Sequence, residues 1–287
     1  MNTKQLNLFG DNKTSKVINV SSVPQRSPFR YAGGKTWLIP TIRKWLSTNE
    51  DKTLIEPFCG GGIVSLTASA ERLANNIIMV EIDDDVAAVW EVILSNHQYL
   101  IDKILGFEMN RENVSRLLNN ELNTLEERAF ATIIRNRTNH GGILTKGAGV
   151  LKNGENGKGI SSRWYPNTLV KRIQDIVINK DNITFIKGDA FDFFNNNYYN
   201  DNTYFFIDPP YTVAGKRLYT HNDVNHDELF RRISLMNSHY LVTYDKSDFV
   251  ISLIEKYSLK WKTIPMTTTH HVMKEEILIS DNFDWFE

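Results

Sequence analysis

The chain has 287 residues, 41% hydrophobic and 23% charged, with a net charge of −1 and a pI near 6.7. No apolar run is long enough to span a bilayer, and the N-terminus lacks an apolar signal core, so neither a membrane span nor export is expected. A single cysteine, Cys59, excludes an internal disulfide and points to a reducing, cytoplasmic setting.

Residues 1–25 are polar and read as a flexible arm, broken by the apolar cluster Leu6, Leu8 and Phe9 beside Gln5. From there strands and helices alternate. "PFRYAGGKTWLIPTI" (28–42) sets Tyr31 and Lys35 around a glycine pair before a helix. "TLIEP" (53–57) reads as a strand, "GIVSLTASAERLA" (62–74) as a helix, "NIIMVEI" (76–82) as a strand and "DDVAAVWEVIL" (84–94) as an amphipathic helix. After a helical, basic middle come strand-like segments at 182–188, 203–208, 239–244 and 275–280, with helical patterns at 226–237 and 247–257. The alternation predicts a mostly parallel sheet with helices on both faces. It stops over 97–172, which reads as an inserted, mainly helical domain within a catalytic domain of 26–96 and 173–287.

The neutral average hides an asymmetry. Between Arg128 and Arg172 there are nine basic residues and one acid, Glu155, an excess of +8. Charge concentrated in this way is the footprint of a polyanion partner.

Two stretches point to chemistry. In "LIEPFCGGGIVSL" three glycines, 60–62, lie between a strand and a helix, where glycine permits a tight turn and close approach of backbone to a ligand. The next strand ends in Glu81, placed to accept from ribose hydroxyls. Position 65 is Ser, so the dinucleotide fingerprint is absent and a nucleoside cofactor without a pyrophosphate is favoured. In "YFFIDPPY" the strand is stopped by Asp208, Pro209, Pro210 and Tyr211. Two prolines stiffen the turn, and an acid with an aromatic ring forms a small clamp suited to a planar molecule bearing an amino group. No metal ligand set is expected.

Taken in order, Arg30–Lys35, Glu56–Gly62 and Asp208–Tyr211 resemble the Dam-like DNA adenine-N6 methyltransferases, and Asn136-Arg137 with Gly142 and Lys274–Leu278 fit the same pattern. The resemblance implies a Rossmann-like sheet that binds S-adenosyl-L-methionine. It further implies cofactor-binding roles for Tyr31, Lys35, Phe58, Gly60, Glu81, Asp189 and Asp208, with Phe191 a stacking partner for the cofactor's adenine or a core residue. Catalytic roles fall to Asp208, Pro209 and Tyr211, and duplex DNA is the expected partner through Arg135, Arg137, His140, Lys146 and Arg163. The arm's Gln5–Phe9 resembles peptides that dock on the bacterial sliding clamp, or it folds back on the body; a restriction endonuclease partner and association with the nucleoid also belong to this expectation. Where the best-known members carry Tyr-Asn-Gly and soon afterwards an Arg, this chain has His140-Gly141-Gly142 and Thr145, so their target sequence does not transfer. The alternatives are an RNA or other amine methyltransferase using the same clamp, a catalytically idle DNA-binding module and, least favoured, a nicotinamide oxidoreductase.

Overall fold

A short strand of β-branched and apolar residues, β1 (Thr53–Glu56), begins a sheet that the rest of the chain builds outward in both directions. The protein is described here from a computed structural model covering residues 23–31, 33–47, 51–145, 147–151, 153–194, 201–211, 223–267 and 273–286. Most of the N-terminal arm, with the Gln5–Phe9 peptide, and Lys146 lie outside the described residues.

Among the described residues seven strands form one sheet, adding β2 (Asn76–Glu81), β3 (Ile183–Lys187), β4 (Thr203–Ile207), β5 (His239–Asp245), β6 (Trp261–Thr267) and β7 (Met273–Ser280). Their order is β3-β2-β1-β4-β5-β7-β6. β1 to β5 are parallel, whereas β7 runs antiparallel to both β5 and β6. The order reverses between β1 and β4, and a crevice opens at the carboxyl ends of strands at such a reversal.

The sheet is buried on both faces, as a parallel sheet must be. The two-residue period of a strand divides its side chains between two cores. Leu54, Ile77, Tyr204, Phe206, Leu241 and Leu278 enter one core, while Ile55, Phe205, Ile207, Val242, Ile277 and Ile279 enter the other. All five residues of β4 are buried, which makes it the central strand.

The first face is covered by α1 (Ile39–Trp45), α2 (Ile63–Ala70), α3 (Asp84–Gly106), α5 (Leu125–Thr138) and α6 (Pro166–Ile178), with the short α4 (Arg111–Asn119) between α3 and α5. The helical turn α7 (Ala190–Phe193) follows β3. The second face takes α8 (His226–Ser234) and α9 (Asp248–Lys256), through Leu229, Phe230, Ile233, Val250, Leu253 and Ile254. Several helix starts, those of α3 and α5 among them, are set by side-chain caps that satisfy orphan backbone N–H groups. Asp83 accepts from the Asp85 and Val86 N–H groups at α3, and Thr124 with Glu127 makes a reciprocal capping box at α5.

The helix expected over 84–94 continues to Gly106, bent at Asn96, whose backbone leaves helical geometry (φ −139°, ψ 50°). Its second half buries Leu100, Ile101 and Ile104 in the same apolar cluster as the strands. Segment 97–172 therefore shares its core with the sheet. One strand was not expected: β6 contains Pro265, which lacks an N–H to donate, and it is tolerated because β6 is an edge strand paired only with β7. Among the described residues no helix is long and apolar enough to cross a membrane.

Candidate active site

The carboxyl ends of β1, β2 and β4 open into a cleft of about 1470 Å³. Tyr31, Lys35, Phe58, Gly60, Glu81, Asp189 and Asp208 all line it.

The turn after β1 is shaped by glycines that must adopt left-handed geometry: Gly60 has φ 44° and Gly62 φ 62°. A Cβ on Gly60 would stand 2.6 Å from the Tyr31 ring, and one on Gly61 would stand 2.8 Å from the Tyr31 Cβ. The glycines thus let the Tyr31 segment close over the turn. The Gly60 carbonyl accepts from Trp90 Nε1 at 2.9 Å, and its N–H donates to Glu81 Oε2 at 3.0 Å. Glu81 also accepts from the Ile82 and Asp83 N–H groups, both at 2.9 Å. A carboxylate has about four acceptor positions. Three are filled by backbone, which leaves room for one more donor from the cleft. Burial pushes the Glu81 pKa up from 4.5 to about 7, against the lowering effect of its N–H partners. Asp189 caps α7 by accepting from the Phe191 N–H at 2.9 Å, and the Arg232 guanidinium lies 5.1 Å from the centre of the Phe191 ring.

Asp208 leaves the end of β4 and is held from two sides. Its Oδ2 pairs with Lys35 Nζ at 2.8 Å, and its Oδ1 accepts from Thr243 Oγ1 at 2.7 Å. Lys35 is only 3% exposed. It also donates to the Gly33 carbonyl at 3.0 Å and stands 4.9 Å from the centre of the Tyr211 ring. Pro209 is buried. Tyr211 stacks on Tyr244 (centroids 5.8 Å apart, planes 22° apart) and donates its hydroxyl to Glu276 Oε2 at 3.2 Å. Burial raises the Glu276 carboxyl from 4.5 to about 7. Glu56, at the end of β1, is pushed by burial to about 8, while accepting from the Ser65 N–H at 3.0 Å.

Sequence reasoning missed Glu56, Thr243, Tyr244 and Glu276 as site residues. Glu56 and Glu276 fell inside quoted motifs, but nothing along the chain says that β5 and β7 lie beside the Asp208 corner. The pairings Ile207↔Val242 and Asp245↔Glu276 put them there.

Among the described residues, the expected DNA-binding side chains do not form one exposed basic face. Arg135 pairs with Asp85 at 2.6 Å. Arg163 is buried, pairing with Glu155 at 2.7 Å and donating to the Asn139 carbonyl at 2.8 Å. Arg137 is 7% exposed and donates to the Pro28 carbonyl. Its pKa is lowered to about 9, first by burial and then by neighbouring arginines. His140 is exposed, opening a 3₁₀ turn (His140–Gly142). The window count of +8 overstated the free charge, because Asp84 and Asp85, which pair with Arg128 and Arg135, lie far outside it in sequence. Asn136 ties the two halves of the cleft together. Its Nδ2 donates to the Gly142 carbonyl at 2.8 Å and the Arg30 carbonyl at 3.0 Å, and its Oδ1 accepts from the Arg30 N–H at 2.8 Å.

The chain is similar in structure to several methyltransferases. The rRNA methyltransferase aviRa from Streptomyces viridochromogenes has a TM-score of 0.41 and 14% identity, with 92% of this chain and 94% of that chain covered. Precorrin-6y C5,15-methyltransferase from Geobacter metallireducens has a TM-score of 0.37 and 10% identity, covering 87% and 88%. The N-terminal domain of human METTL16 in complex with SAH has a TM-score of 0.40 and 8% identity, covering 85% and 68%. No curated protein matches the chain. The family model of the D12 class N6 adenine-specific DNA methyltransferases matches residues 31–269. S-adenosylmethionine is the cofactor of this class, and the cleft fits it: Gly60 and Gly61 leave a bare backbone cradle under Tyr31, and Glu81 keeps one acceptor position for a ribose hydroxyl. The sheet order, the glycine cradle and the Asp-Pro-Pro-Tyr corner thus agree with the match over most of the chain, which belongs to the D12 class of N6 adenine-specific DNA methyltransferases.

Proposed function

We propose that the protein methylates the N6 amine of adenine at a specific sequence in duplex DNA, acting on a base turned out of the helix. The observation that carries this reading is the Asp208–Tyr211 corner, from which Asp208 and Pro210 face the cleft. S-adenosylmethionine supplies, when bound, an electrophilic methyl group. The chain's task is to present the amine, whose lone pair is delocalised into the ring and is a poor nucleophile. Asp208 uses two acceptor positions for Lys35 and Thr243, which leaves two of about four for an N–H of the amine. The Pro209 carbonyl, in a backbone stiffened by two prolines, is the second acceptor. Two such bonds draw the nitrogen towards tetrahedral geometry and favour the positive charge that develops on it. Tyr211 is steadied by Tyr244 and Glu276, and its ring, which Tyr244 and Lys35 cover, would have to be uncovered to stack on the base. Within a duplex the amine is out of reach, so the base must leave the stack.

In this reading Tyr31, Phe58, Gly60, Glu81 and Asp189 shape the cofactor site, and the loop over roughly 139–160 faces the DNA. The arm's Gln5–Phe9 would dock on a sliding clamp, its apolar anchors entering a groove. A partner restriction endonuclease and residence on the nucleoid would follow from the same role. Transfer of labelled methyl to duplex DNA, with RNA of the same sequence as comparison, tests the substrate. Asp208→Ala is expected to abolish transfer while leaving DNA binding intact; transfer to RNA alone, or an active Asp208→Ala variant, would overturn the reading.

A further inference from the structure

Four arginines line one side of the cleft: Arg30, Arg137, Arg163 and Arg172. Two of them share the Glu155 carboxylate, whose Oε1 meets Arg30 at 3.0 Å and Arg163 at 2.7 Å. Arg137 and Arg172 are held by main-chain carbonyls instead, those of Pro28 and of Ser27 at 3.0 Å. Four positive charges therefore face one negative charge, an excess of +3 within a partly closed site. Arg137 is nearly fully buried there, with the other three guanidiniums all pushing against its charge. Burial and Arg30 also push Arg172 down. A buried cation without a counter-charge costs several kcal/mol, so such a cluster is held together at the expense of stability.

We propose that Arg30, Arg137, Arg163 and Arg172 form a built-in pocket for one backbone phosphate of the DNA, beside the nucleotide that is methylated. This rests on the duplex-DNA reading above. A guanidinium presents a planar fork of N–H donors that matches phosphate oxygens two at a time, and its charge persists at any working pH. The chemistry favours a DNA phosphate over the cofactor's carboxylate. S-adenosylmethionine carries a sulfonium and an ammonium against one carboxylate, so the arginine side of the cleft disfavours it relative to the side lined by Glu81 and Asp189. A nucleic acid strand is a polyanion and is drawn in.

The pocket is also pre-positioned. Asn136 fixes the Arg30 backbone, α5 and α6 carry Arg137 and Arg172, and Glu155 steadies Arg30 and Arg163. The side chains need little reordering when the phosphate arrives, so little affinity is spent on immobilising them.

Binding of a fluorescent duplex across a salt series tests the pocket, with wild type, Arg172→Gln, Arg172→Lys and, as the same charge lost outside the cleft, Lys103→Gln. One phosphate contact contributes about 0.9 to the slope of log affinity against log salt, equivalent to roughly 8-fold in affinity at about 0.1 M salt. Arg172→Gln is expected to lower the slope and the affinity by up to those amounts, Arg172→Lys to keep the slope, and Lys103→Gln to match wild type. Cofactor affinity by calorimetry should stay unchanged. Arg30→Gln, at a half-exposed side chain, gives the same readout should Arg172→Gln fail to fold. An unchanged slope in an active, folded variant removes the pocket while leaving the DNA reading intact. Lost cofactor affinity with unchanged DNA binding assigns the arginines to the cofactor's carboxylate and overturns the proposal. A wild-type protein that transfers no methyl to duplex DNA overturns the functional reading and this pocket with it.

Discussion

Replacing Lys35 by Met removes one ammonium from the interior while nearly keeping the length of the side chain. Lys35 is 3% exposed and joins three things at once: Asp208 at 2.8 Å, the Gly33 carbonyl at 3.0 Å and the Tyr211 ring at 4.9 Å. Removing one partner of a buried ion pair costs about 3–5 kcal/mol, mostly because the other charge is left behind. The Asp208 side chain is 18% exposed and keeps its Thr243 donor, so the lower end, about 3 kcal/mol, applies. At roughly 2–4 °C per kcal/mol for a chain of this size, Tm should fall by about 6–12 °C. Asp208→Asn tests the cause. If the cost is that of an abandoned carboxylate, the double variant Lys35→Met with Asp208→Asn should be hardly less stable than Lys35→Met alone, a coupling of about 2 kcal/mol in the cycle. Denaturant unfolding of the four proteins measures it. Stabilities that add to within about 0.5 kcal/mol would show that the two groups act independently and would refute the reasoning.

Glu81→Gln keeps the size of the side chain but turns an amide donor towards backbone N–H groups; S-adenosylmethionine affinity should fall by the worth of a hydrogen bond to a charged group, about 1.5–3 kcal/mol or roughly 10- to 150-fold, and unchanged calorimetry would remove Glu81 from the site. In the wild type the raised Glu81 pKa predicts that cofactor affinity weakens as pH falls below about 7, since the neutral carboxyl is a poorer acceptor. Glu56 predicts a pH effect on stability. Its folded pKa of about 8 lies above the ordinary 4.5, so the folded chain holds the proton more tightly, and the stabilisation is full below about 4.5 and lost as pH rises through about 8. Glu56→Gln should flatten this fall by on the order of a few kcal/mol, and parallel stability curves for the two proteins would contradict it. Gly142→Ala would place a Cβ 2.2 Å from the Arg30 carbonyl oxygen at a φ of 76°, so the loop must shift; weakened DNA binding with an intact cofactor site is expected, and wild-type DNA affinity would argue against a loop fixed by Asn136.

Much of the sheet was legible because its central strands are short apolar runs ended by glycine, proline or acid, and the two-faced burial of Leu54–Ile55 or Phe205–Phe206 leaves no polar alternation to mislead. β6 was not legible, since Lys262, Thr263 and Pro265 at an edge dilute the apolar signal. The glycine turn, Glu81 and the Asp208 corner could be found because close backbone approach and a stiff turn demand particular residue types. Their supports could not: Thr243 and Glu276 are ordinary strand residues until the fold sets β5 and β7 beside β4. The same blindness inflated the basic patch, because Arg135 is answered by Asp85, fifty positions earlier.

The continuity of the core across segment 97–172 limits how such a protein can acquire new targets. Exchanging that segment whole with a relative would replace Leu100, Ile104, Phe130, Ile134 and Leu169 together, and the strand side chains of the same cluster would lose the partners shaped to fit them. The span from Asn139 to Tyr165 is different. Its described residues are mostly turns, pinned at Asn136 and Glu155, and they contribute little to the buried cluster. Divergence among descendants should therefore collect in this span while α3, α5 and α6 change slowly, and a designer seeking altered specificity would graft the loop and leave the helices in place.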